Sequence, residues 1–313
     1  MINGVSSDWK DVKSGVPQGS IFGPLLFTMY IEDIDEVLKT SNLFKFADDT
    51  KVWGRVNTKE DAVLIQDDLI SLCEWSEKNG MPFNVDKCVV MHIGKKNLRE
   101  KYFLNGVVLK CVKEEKDLGV FFSEDGKPSL NCNMVSKAAS KITGLIRRKI
   151  ANKSKEGMLI LYKTLVRPIV DYCTPVWRPY LRKDVNKIEK VQKRFTKMIF
   201  ECRGQNYERR LSTLGLTTLE DRHYRADMIQ VFNILNNVGD IYPSEMLPLS
   251  NRLGRRNSKK LYKRRNLLEI TRNSFTSRVV DLWNNLPDDV VSSIDLNTFK
   301  GRLDKEMRDV RGP

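Results

Sequence analysis

The stretch from Leu43 to Val56, Leu-Phe-Lys-Phe-Ala-Asp-Asp-Thr-Lys-Val-Trp-Gly-Arg-Val, places two adjacent carboxylates between two runs of β-forming residues. The runs Leu43 to Asp48 and Thr50 to Val56 predict a β-hairpin with Asp48 and Asp49 at or near its turn. Adjacent aspartates at a turn offer the hard oxygen ligands that Mg²⁺ prefers, without long flexible side chains. An Asp-Asp turn is also common where no metal binds, so its meaning depends on the sequence around it.

Two further blocks stand on either side of this hairpin. Gly15-Val16-Pro17-Gln18-Gly19-Ser20 precedes it. Proline fixes one φ there and the glycines permit close backbone approach, which predicts a tight turn. The turn opens onto an apolar segment, 21–31, that we expect to become helical near Gly23-Pro24. Asn84-Val85-Asp86-Lys87 follows the hairpin, and Lys87 could offset the charge of an anionic ligand. Taken alone, the Gly15–Ser20 block also fits an ordinary loop before a buried helix, and Lys87 also fits a surface lysine at the start of a strand.

In this order the three blocks resemble the palm of a reverse transcriptase from a non-long-terminal-repeat, jockey-like or LINE-type retrotransposon. The resemblance implies that Asp48 is the main metal ligand, that Asp49 supports it, and that the metal is Mg²⁺ or Mn²⁺. Lys87 would act as general acid toward the leaving pyrophosphate. The nucleotide and template pocket would be lined by Gly15, Pro17, Gln18, Gly19 and Phe46. The segment 116–120 resembles the hairpin that steadies the primer end, although a plain core strand would look the same.

The function implied by this resemblance is RNA-directed DNA polymerisation by a two-metal mechanism, with an RNA template, a DNA primer and dNTPs as partners. The third metal-binding aspartate of such enzymes should lie upstream of Met1. The resemblance therefore predicts an N-terminally truncated enzyme that is inactive, or nearly so, as this chain alone. The alternative is a non-catalytic nucleic-acid-binding remnant of a mobile element. A maturase or telomerase relative fits less well, because its accessory segments are absent.

The remaining pattern predicts an α+β protein. Thr58 begins a helix that Asn79-Gly80 ends, 83–93 reads as a strand, and Asn105-Gly106 is a strong hairpin signal. Helices are expected at about 132–150, 154–173 and 182–201. We therefore predict a partial right-hand palm over 1–122, a helical thumb-like region over 123–205, and a basic, mostly helical C-terminal region over 206–313.

Charge is unevenly distributed along the chain. Residues 1–122 hold 16 Lys and Arg against 19 Asp and Glu, and residues 123–313 hold 38 against 21. The basic part suits a protein that grips a phosphate backbone, although surface lysines can also serve solubility. The residues predicted to contact that backbone are Lys187, Lys190, Lys193, Arg194, Lys197, Arg255, Arg256, Lys259 and Lys260. The last four belong to the stretch 252–265, which has eight basic and no acidic residues and could instead be a nuclear-localisation patch or a solvated linker.

Other classes of protein find little support in the sequence. The six cysteines are scattered without a C-x-x-C pair, so neither a zinc site nor a disulfide framework is indicated. The first residues form no signal peptide, and the longest apolar run is too short to cross a bilayer. We expect a nuclear or cytoplasmic protein that does not bind membranes. His92 and His223, the two histidines, are expected to be structural, and the sequence identifies no protein partner.

Overall fold

The computed structural model describes residues 8, 11, 15, 16, 19–238, 246–251 and 257–311. The chain divides into two compact units, Met1–Lys113 and Glu114–Pro313. The fold is α+β, as predicted, with helices and small sheets. The division into three regions at 122 and 205 stays a prediction.

The first unit combines helices with short strands. Its helices are α1 (Gly23–Tyr30) and α2 (Lys59–Lys78), with short 3₁₀ turns at Glu32–Val37 and Val85–Lys87. Its strands are β1 (Asn42–Phe46), β2 (Asp49–Trp53), β3 (Val89–Val90), β4 (Phe103–Leu104), β5 (Val107–Val108) and β6 (Lys110–Cys111). The antiparallel pairs are β1–β2 and β4–β5, and β3 pairs with β6 in parallel.

Local sequence signals explain most of these elements. Thr58 and Asp61 form a reciprocal capping box that begins α2, and Gly80 takes the positive φ of 63° that ends it. Asn105 and Gly106 have φ values of 49° and 73°, as a two-residue hairpin turn requires. The predicted strand over 83–93 is wrong except at Val89–Val90. Carbonyl groups of Asn84 and Val85 accept i+3 hydrogen bonds there and wind the block into a 3₁₀ turn.

The second unit begins with a hairpin and is otherwise helical. Its strands are β7 (Glu114–Asp117) and β8 (Val120–Ser123), which pair antiparallel. Its helices are α3 (Ser129–Lys149), α4 (Lys155–Leu161), α5 (Arg167–Asp171), α6 (Thr174–Trp177), α7 (Arg182–Thr196), α8 (Tyr207–Leu214), α9 (Leu219–Leu235), α10 (Glu269–Arg272), α11 (Phe275–Asn284), α12 (Asp288–Val291) and α13 (Leu296–Arg311). No helix in the described part of the chain is long and apolar enough to span a membrane.

The helix predicted over 154–173 is not one continuous α-helix. Residues Tyr162–Val166 form a π-turn between α4 and α5. Pro168 cannot donate the backbone hydrogen bond that an α-helix needs at its position, and its ring crowds the preceding turn. The wider turn ahead of Pro168 accommodates both effects.

Two apolar cores lie within the second unit. One is built around α3, α5 and α7 and includes Tyr162, Trp177 and Phe195. The other lies among α9, α11 and α13 and includes Trp283 and Phe299, whose ring centroids are 5.8 Å apart. By contrast, the one cluster of buried apolar residues among the described residues of the first unit consists of Ile31, Ile34, Leu72 and Trp75. The first unit therefore has far less buried apolar packing than the second.

Candidate nucleotide and nucleic-acid site

The two carboxylates lie at the tip of the β1–β2 hairpin. Phe46 pairs with Asp49, so Ala47 and Asp48 form a two-residue turn, and Ala47 has a φ of 51°. The left-handed conformation costs a non-glycine residue roughly 1–2 kcal/mol. Such strain is maintained only where the surroundings impose it, and it tends to occur at functional sites.

The hairpin is fixed from the side opposite its exposed face. The ammonium group of Lys45 donates to the carbonyl of Glu32 at 2.9 Å and pairs with Asp35 at 2.8 Å. Buried Asp68 of α2 accepts backbone hydrogen bonds from Lys39 at 2.8 Å and Ser41 at 2.6 Å, directly before β1. Burial alone would raise the pKa of Asp68, but these hydrogen bonds and those from Thr40 lower it to about 2. An ionised carboxylate therefore anchors the start of the hairpin.

Asp48 and Asp49 are both exposed to solvent. Within the described residues neither carboxylate has a hydrogen-bonding or ion-pairing partner, and no group of three or more His, Cys, Asp or Glu side chains is placed to hold a metal ion. The exposed face behind them is aromatic, because Phe44 stacks on Trp53 with ring centroids 6.2 Å apart and Phe46 is 63% exposed. Two unpaired carboxylates thus stand beside an accessible aromatic surface.

The other predicted pocket residues are only partly described. Gly15 and Gly19 are exposed and have φ values of 84° and 85°, and a Cβ at either position would contact nothing within 4 Å. Glycine is required there by backbone conformation and not by crowding. Pro17 and Gln18 lie outside the described residues. Lys87 is exposed on the Val85–Lys87 turn, and no hydrogen bond or ion pair within the described residues joins it to Asp48 or Asp49.

In the second unit, α3 and α7 lie side by side. Ser129 donates to Asp184 at 2.5 Å, and one turn further along both helices Lys187 donates to Asn133. The two helices therefore run in the same direction. α3 contains no acidic residue, and the two acidic residues of α7, Asp184 and Glu189, are 1% and 8% exposed. Carboxylates are consequently absent from the solvent-facing surface of this pair.

Basic side chains occupy that surface. We call it the basic face and define it by the exposed residues Lys137, Lys141, Arg148, Lys190, Arg194 and Lys197. Lys137, Lys141 and Arg148 were missed in the sequence, although their spacing of four and seven residues places them on one side of α3. Two residues predicted for the nucleic-acid backbone serve other contacts. Lys187 is half-buried against Asn133, and the ammonium of Lys193 lies 4.9 Å from the ring centroid of Tyr207.

The carboxylate of Glu189 points away from the basic face. It accepts hydrogen bonds from the hydroxyl of Tyr207 and from the backbone N–H of Leu219, the latter at 2.9 Å. Burial raises the pKa of Glu189, while these hydrogen bonds act in the opposite direction. Because this carboxylate points inward, the exposed charged side chains of α7 are all positive.

The basic stretch 252–265 is described only from Asn257 onward, so Arg255 and Arg256 lie outside the described residues. Lys259 and Lys260 are half-buried, and the ammonium of Lys259 donates to Asn236 at 3.4 Å. Hydrogen bonds to Asn257, Lys259 and Leu261 hold residues 257–261 in place, so these residues do not form a solvated linker, whereas residues 262–265 are exposed.

Comparison with known proteins agrees with the family that the three sequence blocks resemble. Residues 1–141 match the family model for reverse transcriptase (RNA-dependent DNA polymerase). The probable RNA-directed DNA polymerase from transposon X-element of Drosophila melanogaster is 26% identical over 211 residues, which cover 61% of this chain and 22% of the relative. The RNA-directed DNA polymerase from mobile element jockey of the same fly is 25% identical over 207 residues, with the same two coverages. The Pol polyprotein from type-1 retrotransposable element R1 of Bradysia coprophila is 29% identical over 186 residues, 55% of this chain and 18% of the relative.

The chain thus spans about a fifth of the length of these relatives. No solved structure matches it significantly. The order of the three sequence blocks, the hairpin that carries Asp48 and Asp49, and the match over residues 1–141 lead to the same family. Residues 1–141 thus match a reverse transcriptase domain, and the chain is similar to RNA-directed DNA polymerases of jockey-like, non-long-terminal-repeat elements.

Proposed function

We propose that this chain is part of an RNA-directed DNA polymerase in which the β1–β2 hairpin holds the catalytic metal ions. The observation that carries the proposal is the exposed pair Asp48 and Asp49, which have no protein partner within the described residues and lie at a strained two-residue turn. The first unit and the β7–β8 hairpin would correspond to a palm, and the helices from α3 to α7 to a thumb.

Mg²⁺ or Mn²⁺ fits the donor set. Magnesium sites of phosphate-transferring enzymes use one or two carboxylates and complete the shell with water and substrate phosphates. When bound, the ions would stabilise the negative charge that develops on the primer 3′-hydroxyl and on the leaving pyrophosphate. Asp48, in the turn, would be the principal ligand, and Asp49, the first residue of β2, would support it.

The remaining residues of the domain have proposed roles at the substrates. Because Gly15 and Gly19 have positive φ values and no side chain, their backbone N–H groups would lie close to the nucleotide or template. Pro17, Gln18 and Phe46 would complete that pocket. Lys87 would protonate pyrophosphate or offset its charge. The partners are an RNA template, a DNA primer and dNTPs, and the protein would act in the nucleus or the cytoplasm.

A first experiment measures Mn²⁺ binding by electron paramagnetic resonance together with primer extension on a primed RNA template. We expect Asp48→Asn and Asp49→Asn to weaken Mn²⁺ binding, whereas Asp67→Asn, an exposed carboxylate on α2, binds as the wild type does. Extension, where present, should disappear in the same two variants. Equal Mn²⁺ binding by all four proteins would contradict the proposed metal site.

The basic face would bind the duplex of template and primer. Each phosphate contact that is lost should reduce the slope of log K against log salt by about 0.9 for a duplex. We expect Lys190→Ala/Arg194→Ala/Lys197→Ala to lower this slope by roughly two to three, while the equal charge change Lys300→Ala/Lys305→Ala/Arg308→Ala on α13 leaves it unchanged. Nucleic-acid binding that depends on the basic face, without metal binding or extension, would favour the non-catalytic remnant.

A further inference from the structure

The basic segment 257–266 is held in place by side chains of α11 and its flanking residues. Asn284 accepts a hydrogen bond from the N–H of Leu261 at 2.7 Å and donates to its carbonyl at 3.0 Å. The indole N–H of Trp283 donates to the carbonyl of Lys259 at 2.9 Å, and buried Asn257 donates to the carbonyl of Trp283 at 2.8 Å. The segment is therefore a fixed structural element.

Its other edge pairs with a short stretch of chain before it. The N–H of Ser250 donates to the carbonyl of Lys260 at 2.7 Å, and the N–H of Tyr262 donates to the carbonyl of Pro248 at 2.8 Å. Beyond this bridge, the guanidinium of Arg272 donates to the carbonyls of Asn266 and Leu267, both at 3.0 Å. Both ends of the segment's exposed part are thus fixed before any ligand binds.

A cavity of about 140 Å³ lies beside this segment. It is large enough for several water-sized groups, and so for a phosphate group. One wall comes from the segment, a second from α10, α11 and the turn between them, and an apolar side from Met246, Leu247 and Pro248. The polar residues of the lining are Tyr262, Arg264, Asn266, Thr271, Ser274, Thr276 and Ser277. The described residues that line the cavity include no carboxylate.

The polar lining is rich in donors. Ser277 Oγ accepts a hydrogen bond from Asn266 at 2.7 Å and retains its own proton as a donor. The proton of the Ser274 hydroxyl is already donated to the carbonyl of Thr271 at 2.7 Å. Arg264 brings a guanidinium, whose planar fork matches the geometry of a phosphate. The described lining combines a guanidinium and hydroxyl groups with no carboxylate, and this combination favours an anion.

The surroundings of the cavity favour a nucleic-acid strand over an isolated anion. Arg265 is exposed next to Arg264 along the chain and adds positive charge beyond the cavity. The ammonium of Lys263, on the other side of Arg264, is exposed but pairs with Asp281 at 2.5 Å. The ring of Tyr262 lines the cavity and is 56% exposed, so it offers an aromatic surface next to the anion site. Cations combined with an exposed aromatic ring are typical of surfaces that bind single strands.

We propose that this cavity binds a phosphodiester group of single-stranded nucleic acid, with a neighbouring base stacked on Tyr262. The site lies outside the reverse transcriptase match over residues 1–141 and does not depend on metal binding at Asp48. It gives the C-terminal region its own ligand, a single strand, whereas the basic face is proposed to bind the duplex.

The test measures binding of a fluorescent oligothymidylate to the whole chain by anisotropy at several salt concentrations. We expect Tyr262→Ala to weaken binding by about fivefold or more, and Tyr262→Phe to bind as the wild type does, because stacking requires the ring but not the hydroxyl. Arg264→Ala should lower the slope of log K against log salt by about 0.7, the value for one phosphate contact on a single strand. Lys305→Ala, an exposed charge on α13, should change neither quantity.

Photo-crosslinking locates the strand. An oligonucleotide that carries 5-iododeoxyuridine should crosslink to the peptide that contains Tyr262, as identified by mass spectrometry. Unchanged binding by folded Tyr262→Ala and Arg264→Ala, with loss of binding in the basic-face variant Lys190→Ala/Arg194→Ala/Lys197→Ala, would overturn this proposal while supporting the proposed duplex site. Displacement of the oligonucleotide by an equal nucleotide concentration of dTMP would show a mononucleotide pocket and would also overturn it.

Discussion

Replacing Asp227 should destabilise the second unit more than any exposed charge does. The carboxylate is fully buried and accepts from Arg178 at 2.8 Å and from both Nε and Nη2 of Arg278, at 2.9 and 2.8 Å. Arg178 follows α6, which belongs to the core around α3 and α7, and Arg278 lies on α11 in the other core. The triad therefore joins the two cores.

The size of the effect follows from what Asp227→Ala leaves behind. The side chains of Arg178 and Arg278 are 16% and 12% exposed, so two guanidinium groups would lose their counterion inside the protein. Breaking a buried ion pair by removing one partner costs about 3–5 kcal/mol. The matched control is Asp304→Ala, which removes the partner of Arg225 where the two side chains are 44% and 30% exposed. Solvent-exposed ion pairs contribute only about 0–1 kcal/mol to the free energy of unfolding.

Urea denaturation followed by tryptophan fluorescence measures both free energies of unfolding. Because Trp177 and Trp283 are buried in the two different cores, the signal reports on each. Replacing the whole triad, Asp227→Leu/Arg178→Met/Arg278→Met, should recover much of the loss, since no uncompensated charge remains. A loss for Asp227→Ala no larger than that for Asp304→Ala would refute the reasoning.

Substitutions at four further positions test other parts of the fold. Burial lowers the pKa of His223 to about 4, so the folded protein resists protonation of this imidazole. The free energy of unfolding should be at its full value above the ordinary pKa of about 6.5 and fall by roughly 3 kcal/mol as the pH drops to 4. His223→Gln should flatten this pH dependence in denaturation curves. Asp68, with its pKa of about 2, should give a second loss between about pH 4 and 2 that Asp68→Asn removes. Ala47→Gly should stabilise the chain by up to about 1 kcal/mol in thermal melts, and Ala47→Val should destabilise it, because of the positive φ. Asn284→Ala should cost about 1–3 kcal/mol, measured in urea, by leaving the backbone of Leu261 unpaired.

The elements that the sequence predicted correctly are those with local causes. The β1–β2 hairpin, the capping box at Thr58 and the Asn105-Gly106 turn each depend on residues a few positions apart. Their stabilising contacts lie within the segment itself, so a reader of the sequence has all the information that determines them.

Features that depend on distant contacts were not predictable. The segment 83–93 has a β-like composition, but its strand is limited to Val89–Val90, the two residues that pair in parallel with the distant Lys110–Cys111. In the same way, Lys187 and Lys193 share the helical spacing of Lys190 and Lys197, yet packing against Asn133 and Tyr207 removes them from the basic face. The spacing of residues determines which side of a helix they occupy. Contacts with neighbouring elements determine which of the charged side chains remain available to a ligand.

The β1–β2 hairpin and the helices around α7 use their carboxylates in opposite ways, and this contrast bears on function. In the helical unit the carboxylates of Asp184, Glu189 and Asp227 are buried and hydrogen-bonded, so the positive charge of α3 and α7 is left without local compensation. In the hairpin, Asp48 and Asp49 are exposed and unpaired within the described residues. Unpaired like charges side by side repel each other and add nothing to stability, so a cationic ligand gives them a use. This contrast between exposed and buried carboxylates fits the proposal that the hairpin binds metal ions and that the helical unit binds the phosphates of nucleic acid.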